Sequence, residues 1–298
     1  LRFVNLLLND ATYVLDEALT KFPKIHDLQT ELRRPPGEGE PMTTEEREAK
    51  EEELRTAENQ AQSYMQLTNE TLAMMKLFSA TLSGSFTMPE IVDRVAAMLN
   101  YTLDIISGKK SLNLKVENLE KYQFRPRAFL SEFVDIYLNL GVSERFVEAV
   151  ARDGRSYKPE NFESASRVLK RWGLKSPEDL QAWEVLKDRF KAAKEIEDQA
   201  DEDMGEIPDD YIDPILATLM LDPVMLPISK QIVDRSTIRS HLLSDPHDPF
   251  NRTPLKIEDV IPMPDLQTQI LAWKDDIRAK AKQARENAQA EAMDTTAG

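Results

Sequence analysis

Residues 209–273 read DDYIDPILATLMLDPVMLPISKQIVDRSTIRSHLLSDPHDPFNRTPLKIEDVIPMPDLQTQILAW, and the fold turns on how this stretch is parsed. Four Asp-Pro pairs fall inside it, at 213–214, 222–223, 245–246 and 248–249. Aspartate bonds its side chain to nearby backbone N–H groups and proline fixes φ, so such pairs start turns. Two short apolar runs, 223–227 and 231–233, lie either side of Ile228-Ser229-Lys230 and predict a small hairpin. Asp234 is placed to cap a helix beginning near Arg235, with Ile238, Leu242 and Leu243 turned inward, and Asp245-Pro246 ends it. A loop follows over 245–254, then a third extended piece over 255–261. Pro264-Asp265 opens a last helix, whose Leu266, Ile270, Trp273 and Ile277 recur at steps of four, three and four. Beyond 280 the chain reads as a helical extension and a disordered tail over 281–298.

A domain this small ordinarily needs a disulfide or a metal. Cysteine is absent from all 298 residues, which removes disulfides, thiolate nucleophiles and cysteine zinc sites together. Histidine occurs only at 26, 241 and 247, so no structural metal is predicted. Asp245, His247 and Asp248 carry metal-capable groups, but on a proline-rich loop they read as turn formers. Ser244 beside His247 has no oxyanion motif to make a triad.

Upstream, the pattern is helix after helix. Val4, Leu7, Leu8, Ala11, Val14, Leu15, Ala18 and Phe22 share one face, and Pro23 is expected to close that helix. A shorter apolar pattern through Ile25, Leu28 and Leu32 precedes a flexible loop over 33–41. Thr43 or Thr44 can cap the next helix, which carries Ala61, Met65, Thr68, Leu72 and Met75 up to Ser83-Gly84. Met88-Pro89-Glu90 predicts a helix start with proline in its first turn. Gly141 and Gly173 read as helix ends, Ser143 as a cap, and Ser176-Pro177-Glu178-Asp179 as a start for Leu180, Trp183, Leu186 and Phe190. The Met and aromatic stripes (Met65, Met74, Met75, Met98, Phe129, Phe133, Phe146) read as core packing. The fold expected is mainly α: an α-helical solenoid-like, armadillo-like segment over 1–195, an acidic linker over 196–208, and a small α+β domain over 209–280. The chain opens on Leu with a helical pattern already under way, so a piece of a longer protein is expected.

The net charge of −15 is local. Nine Glu against three bases over 38–58, and nine acids with no base over 195–210, account for all of it. These runs read as solvated linkers or helix faces. Without a basic stripe, nucleic-acid binding is not expected, because counterion release needs clustered Lys and Arg. No apolar run approaches the length of a bilayer span, and no signal peptide is visible.

Tyr211-Ile212-Asp213-Pro214-Ile215, Leu219-Met220-Leu221-Asp222-Pro223-Val224, Asp234-Arg235-Ser236-Thr237-Ile238 and Asp248-Pro249-Phe250-Asn251-Arg252-Thr253-Pro254-Leu255 resemble the U-box, a RING-like domain that holds no zinc. The Asp-Pro-Phe-Asn-Arg variant behind a long helical segment looks most like the ubiquitin chain-elongation factors, the ubiquitin-fusion-degradation U-box proteins. The resemblance implies a ubiquitin protein transferase with no cofactor and no covalent ligase intermediate. It would dock a ubiquitin-conjugating enzyme and orient donor ubiquitin for attack by a lysine of a substrate or of attached ubiquitin. Ile215, Leu216, Pro249, Phe250 and Asn251 match the family's docking positions, and Arg252 matches the cation that bridges enzyme and ubiquitin. A planar guanidinium suits that work, since it can bond two carbonyl-bearing partners at once. Asp222, Asp234, Arg235 and Asp248 are expected to form the network that stands in for zinc. Ala217 stands where some relatives carry an aromatic, which implies a shallower groove. Implied partners are the conjugating enzyme, ubiquitin, ubiquitylated substrates, a valosin-containing-type AAA ATPase and ubiquitin-like-domain shuttle proteins, with a cytoplasmic and nuclear location. From a different class, a non-catalytic helical adaptor whose terminal box only binds a partner fits the same pattern. For a paired-carboxylate hydrolase there is only the abundance of acids.

Overall fold

The computed structural model describes residues 2–34, 42–108, 111, 114, 116–204, 206–277 and 279–280. The chain folds as two compact units, Leu1–Ala193 and Lys194–Gly298. The first is helical. Its elements are α1 (Arg2–Leu32), α2 (Thr44–Thr81), the single turn α3 (Ser83–Phe86), α4 (Val92–Ser107), α5 (Pro126–Leu140), α6 (Glu144–Arg152), α7 (Pro159–Trp172) and the start of α8 (Pro177–Met204). Among the described residues no helix is long and apolar enough to cross a membrane.

Several helix ends follow from their residues. Thr43 caps α2 in a full capping box: its side chain accepts from the Glu46 N–H at 3.2 Å, and the Glu46 carboxylate accepts from the Thr43 N–H at 2.9 Å. Gly173 ends α7 at φ +59°, the left-handed conformation that glycine adopts without a Cβ penalty. Gly141 ends α5 for a different reason, because its φ of −64° suits any residue. A Cβ there would lie 2.7 Å from both methyls of Leu186 and 2.9 Å from the Tyr137 carbonyl oxygen, so glycine eases the approach of α8. Ser176 caps α8, its hydroxyl accepting from the Asp179 N–H at 3.1 Å.

Four expectations are corrected. Pro23 does not close α1, which runs on to Leu32. Proline inside a helix costs about 3 kcal/mol, whereas burying Ile25 and Leu28, both inaccessible or nearly so, contributes about 1.5–3 kcal/mol each. The helix predicted from Met88-Pro89-Glu90 starts later, at Val92, because Met88 O is taken by the N–H groups of Ile91 and Val92 in a preceding turn. Ser143 occupies the N-cap of α6 without a side-chain bond. Met74 is exposed, while Met65, Met75 and Met98 are buried. In addition, α8 does not stop where the acidic run begins but continues to Met204. Acidic residues are competent helix formers, and the Lys194–Asp198 pair at 2.6 Å supports the helix at i,i+4 spacing. The predicted loop at 35–41 and tail at 281–298 lie outside the described residues.

The helices bury their faces on one another: α1 lies along α2, α2 also packs on α5, and α4 packs on α1, α5, α6 and α7. Large rings fill the spaces between them. Phe22 stacks on Phe124 at 4.9 Å, and Tyr137 meets Phe146, Phe162, Trp183 and Phe190 with centroids 5.5–6.0 Å apart. The buried polar tips are paired. Tyr137 Oη donates to Asn100 Oδ1 at 2.8 Å, Trp183 Nε1 donates to Ser166 Oγ at 3.0 Å, and Lys187 reaches Glu163 at 2.7 Å and Glu184 at 2.8 Å.

The second unit continues α8 into a turn at Asp209–Tyr211, followed by β1 (Pro223–Met225), β2 (Ile232–Asp234), α9 (Arg235–Ser244), a turn at Ile257–Asp259, β3 (Ile261–Pro262) and a closing helix α10 over 264–277. The sheet order is β2-β1-β3, antiparallel throughout, with Val224 opposite Val233 and Met225 opposite both Ile232 and Ile261. Val224, Leu226, Val233, Ile238, Leu255 and Val260 form its core, with Leu242 and Ile257 against it. Tyr211 packs edge-on to Trp273 at 5.8 Å, joining the start of the domain to α10.

Candidate functional site

Three six-residue loops of one build emerge from the second unit: 213–218, 226–231 and 248–253. Each has proline second, and in each the first residue exchanges bonds with the fifth and sixth. Asp213 N–H donates to Thr218 O at 2.7 Å and Ala217 N–H to Asp213 O at 2.8 Å. Leu226 and Asp248 repeat this with Gln231 and Lys230, and with Thr253 and Arg252, over 2.8–3.1 Å. The fifth residue closes the loop in the left-handed region: Ala217 at φ +55°, Lys230 at +60° and Arg252 at +62°. None is glycine, so each closure costs about 1 kcal/mol or more, offset by the paired hydrogen bonds.

In the outer two loops an aspartate adds a further tie. Asp213 Oδ1 accepts from the N–H groups of Ile215 at 2.7 Å and Leu216 at 3.1 Å, and Asp248 Oδ1 accepts from Phe250 N–H at 2.9 Å. Both aspartates are essentially inaccessible. Their side chains therefore spend themselves on the backbone of the tip while the tip side chains face outward. Ile215 is 40% exposed, Leu216 59% and Phe250 42%, with Pro249 half-buried and Asn251 exposed. Asn251 Oδ1 accepts from both the Thr253 N–H at 3.0 Å and the Thr253 hydroxyl at 2.6 Å, so it shapes the loop end.

A carboxylate network joins the first loop to the hairpin. The remaining oxygen of Asp213 accepts from Asp234 N–H at 2.6 Å. Asp234 Oδ2 accepts from Leu221 and Asp222 N–H at 2.7 and 2.9 Å, and its Oδ1 accepts from Ser236 N–H and hydroxyl at 2.9 and 2.6 Å, which also caps α9. Arg235 Nε donates to Asp222 Oδ2 at 2.8 Å, and Arg235 N–H donates to Asp222 O. Asp222, Asp234 and Arg235 are thus brought together. Asp248 stands apart from them in the second outer loop, its Oδ2 buried with no hydrogen-bond partner among the described residues. Asp213 is the member that the sequence analysis missed, although it shares the Asp-Pro context of Asp248. Among the described residues, no three His, Asp or Glu side chains converge as a metal site.

Arg252 is open to solvent, with 83% of its side chain accessible. Its near carboxylate is Asp245, at 3.6 Å, rather than the buried Asp248. Asp245 Oδ1 lies 2.5 Å from His247 Nδ1, and His241 Nε2 lies 2.9 Å from His247 O. The His247 hydrogen bond, with the charges of His241 and Arg252 behind it, holds the Asp245 carboxyl below its usual range.

Comparison with known proteins covers both units. The family model described as "Ubiquitin elongating factor core" matches residues 1–191, and the U-box domain model matches 207–279. The chain is 48% identical over 269 residues to "Ubiquitin conjugation factor E4" of Schizosaccharomyces pombe, covering 90% of this chain and 26% of that protein. It is 38% identical over 282 residues to "E4 ubiquitin-protein ligase UFD2" of Saccharomyces cerevisiae, 94% of this chain and 29% of that one. Against "Probable ubiquitin conjugation factor E4" of Arabidopsis thaliana the identity is 39% over 273 residues, 91% of this chain and 26% of the relative. The chain therefore spans about a quarter of the length of these curated relatives.

Proposed function

The chain belongs to the ubiquitin elongating factor family, with the helical core and U-box of that family in sequence, and from that premise we propose that it promotes transfer of ubiquitin from a conjugating enzyme to a lysine. The observation that carries the proposal is the pair of outer loops of identical build. Both present apolar tips, Ile215 and Leu216 on one and Phe250 on the other, on a backbone pinned from below by Asp213 and Asp248. Apolar groups on a pinned frame suit a docking surface, because little side-chain or loop entropy remains to be lost on binding.

No cysteine is present to carry ubiquitin as a thioester. Catalysis then falls to orientation: a tethered donor held in an attack-ready pose reacts faster without an acid or base from the ligase. Arg252, beside Phe250 and open to solvent, has donors free for carbonyl groups of enzyme and ubiquitin. In this scheme Ile215, Leu216, Pro249 and Phe250 dock the enzyme, Asn251 shapes the loop, and Arg252 orients the donor. The acceptor is a substrate lysine or one of an attached ubiquitin. A valosin-containing-type AAA ATPase and ubiquitin-like-domain shuttle proteins are proposed as further partners, on the strength of the family membership; calorimetry with each purified partner tests them.

A reconstituted assay with conjugating enzyme, ubiquitin and this chain tests the activity. Chains should form with at least one of a broad panel of conjugating enzymes, and a wholly inactive panel would leave a binding adaptor. Ile215→Ala should weaken enzyme docking, whereas Arg252→Ala should slow ubiquitin discharge with docking kept. Equal loss of docking in both variants would refute this division of roles.

A further inference from the structure

We propose that Asp245, oriented by His247, is a positioning residue that aims the Arg252 guanidinium. The inference rests on the role given to Arg252 above. Asp245 closes α9, its N–H donating to His241 O at 3.0 Å, so its carboxylate is anchored to a helix end rather than to the loop tip. Its two oxygens are divided between neighbours: Oδ1 takes His247 Nδ1 at 2.5 Å, and Oδ2 faces Arg252 Nη1 at 3.6 Å. An ionised carboxylate only accepts hydrogen bonds, so the proton lies on His247 Nδ1. The His247 backbone carbonyl is in turn met by His241 Nε2 from α9 at 2.9 Å. Helix, histidine and carboxylate thus form one chain of contacts that ends at the arginine.

The separation at that last step matters. At 3.6 Å the pair attracts but lies beyond hydrogen-bond range, so Arg252 is steered without giving up a donor. Its N–H groups stay available for the carbonyls of a bound partner. The left-handed φ of Arg252 fixes how its Cα–Cβ bond leaves the loop, and Asp245 restricts the long flexible part beyond. The titratable and charged groups facing Asp245 are His247 and Arg252 in the loop and His241 on α9. Asp248, the other carboxylate of the loop, is buried beneath the tip, with Oδ1 accepting from Phe250 N–H, whereas the guanidinium lies in solvent near Asp245.

The test is single-turnover discharge of ubiquitin-loaded conjugating enzyme to free lysine, stimulated by the whole chain. Asp245→Asn should lower the maximal stimulated rate by about two- to fivefold, the range expected from losing one exposed ion pair, with KM for the loaded enzyme unchanged. Asp245→Glu should restore most of the rate. His247→Ala should give a smaller loss in the same direction, which covers the case of an Asp245 variant that misfolds. Asp245→Asn combined with Arg252→Ala should be no slower than Arg252→Ala alone. Multiplied losses in the double variant, or a wild-type rate for Asp245→Asn, overturn the positioning role. If Arg252→Ala itself discharges at the wild-type rate, the Arg252 assignment falls and this inference with it. If Arg252→Ala is slow while Asp245→Asn is not, only the positioning role is lost.

Discussion

The two units of this chain reach stability by different routes. Leu1–Ala193 is held by burial, with Tyr137, Phe146, Phe162, Trp183 and Phe190 sharing one aromatic cluster. The U-box has a core of six small aliphatic side chains and three strands of two or three residues each. Its loops are fixed instead by carboxylates that collect backbone N–H groups. Burial is non-directional and tolerates repacking, whereas a carboxylate that accepts several N–H bonds dictates the position of each donor. The unit proposed to present side chains to a partner is the one built by the directional method.

Four substitutions would break or sharpen that contrast. Trp183→Ala, fully buried against Tyr137 and Phe162, should cost the helical unit about 3–5 kcal/mol in denaturant titrations followed by circular dichroism. Asp234→Ala strips the acceptor from four donors and should cost the U-box about 3 kcal/mol, with amide exchange accelerated first at Leu221 and Asp222. If Asp234→Ala leaves those amides protected, burial rather than the carboxylate is fixing the loop. Lys187→Met removes the cation between Glu163 and Glu184 and should destabilise the helical unit by about 1–3 kcal/mol, discounted because both acids are partly exposed.

The same group gives a pH dependence. Burial pushes the Glu184 carboxyl up, but hydrogen bonds from Lys187 and Lys170 outweigh it and bring it down to about 2. A depressed folded-state pKa means that this stabilisation is present above the unfolded value of about 4.3 and is lost as pH falls towards 2. Acid titration of the helical unit should therefore steepen between about pH 4 and 2, and Lys187→Met should flatten it. Smallest of all, Arg252→Ala should change U-box stability by less than about 0.5 kcal/mol, since the side chain is largely in solvent. A larger effect would give Arg252 a place in the scaffold rather than on the working surface.

Much of this was legible in the residues. The Thr43 and Ser176 caps, the αL closure at Gly173, and the strand, helix and loop order of 209–273 all follow from local chemistry. Pro23 misled because a local rule says that proline stops a helix, and only the tertiary burial of Ile25 and Leu28 outweighs it. The exposed tips Ile215 and Phe250 were named from resemblance, but their frame was not visible. Ala217, Lys230 and Arg252 adopt φ values for which the sequence offers no glycine as a signal, so the threefold recurrence of the loop emerges only in three dimensions. The role of Asp213 is hidden in the sequence because its second bond, to Asp234 N–H, spans 21 residues. Nothing in its immediate neighbourhood announces that partner.

The recurring six-residue loop bears on how such a surface can change over time. Its hydrogen bonds run through the first, fifth and sixth residues, and its third and fourth side chains take no part in them. Ile215 and Leu216, Ile228 and Ser229, and Phe250 and Asn251 occupy those two places. In the first loop both positions can vary without unmaking the frame; in the middle loop the Ser229 hydroxyl is buried, and in the last the Asn251 bonds to Thr253 tie one of the two back to it. Under the docking role proposed above, preference for one conjugating enzyme over another can therefore drift through conservative steps at Ile215 and Leu216. Ile228, 61% exposed at the third place of the middle loop, lies outside the proposed docking set and can vary without touching it.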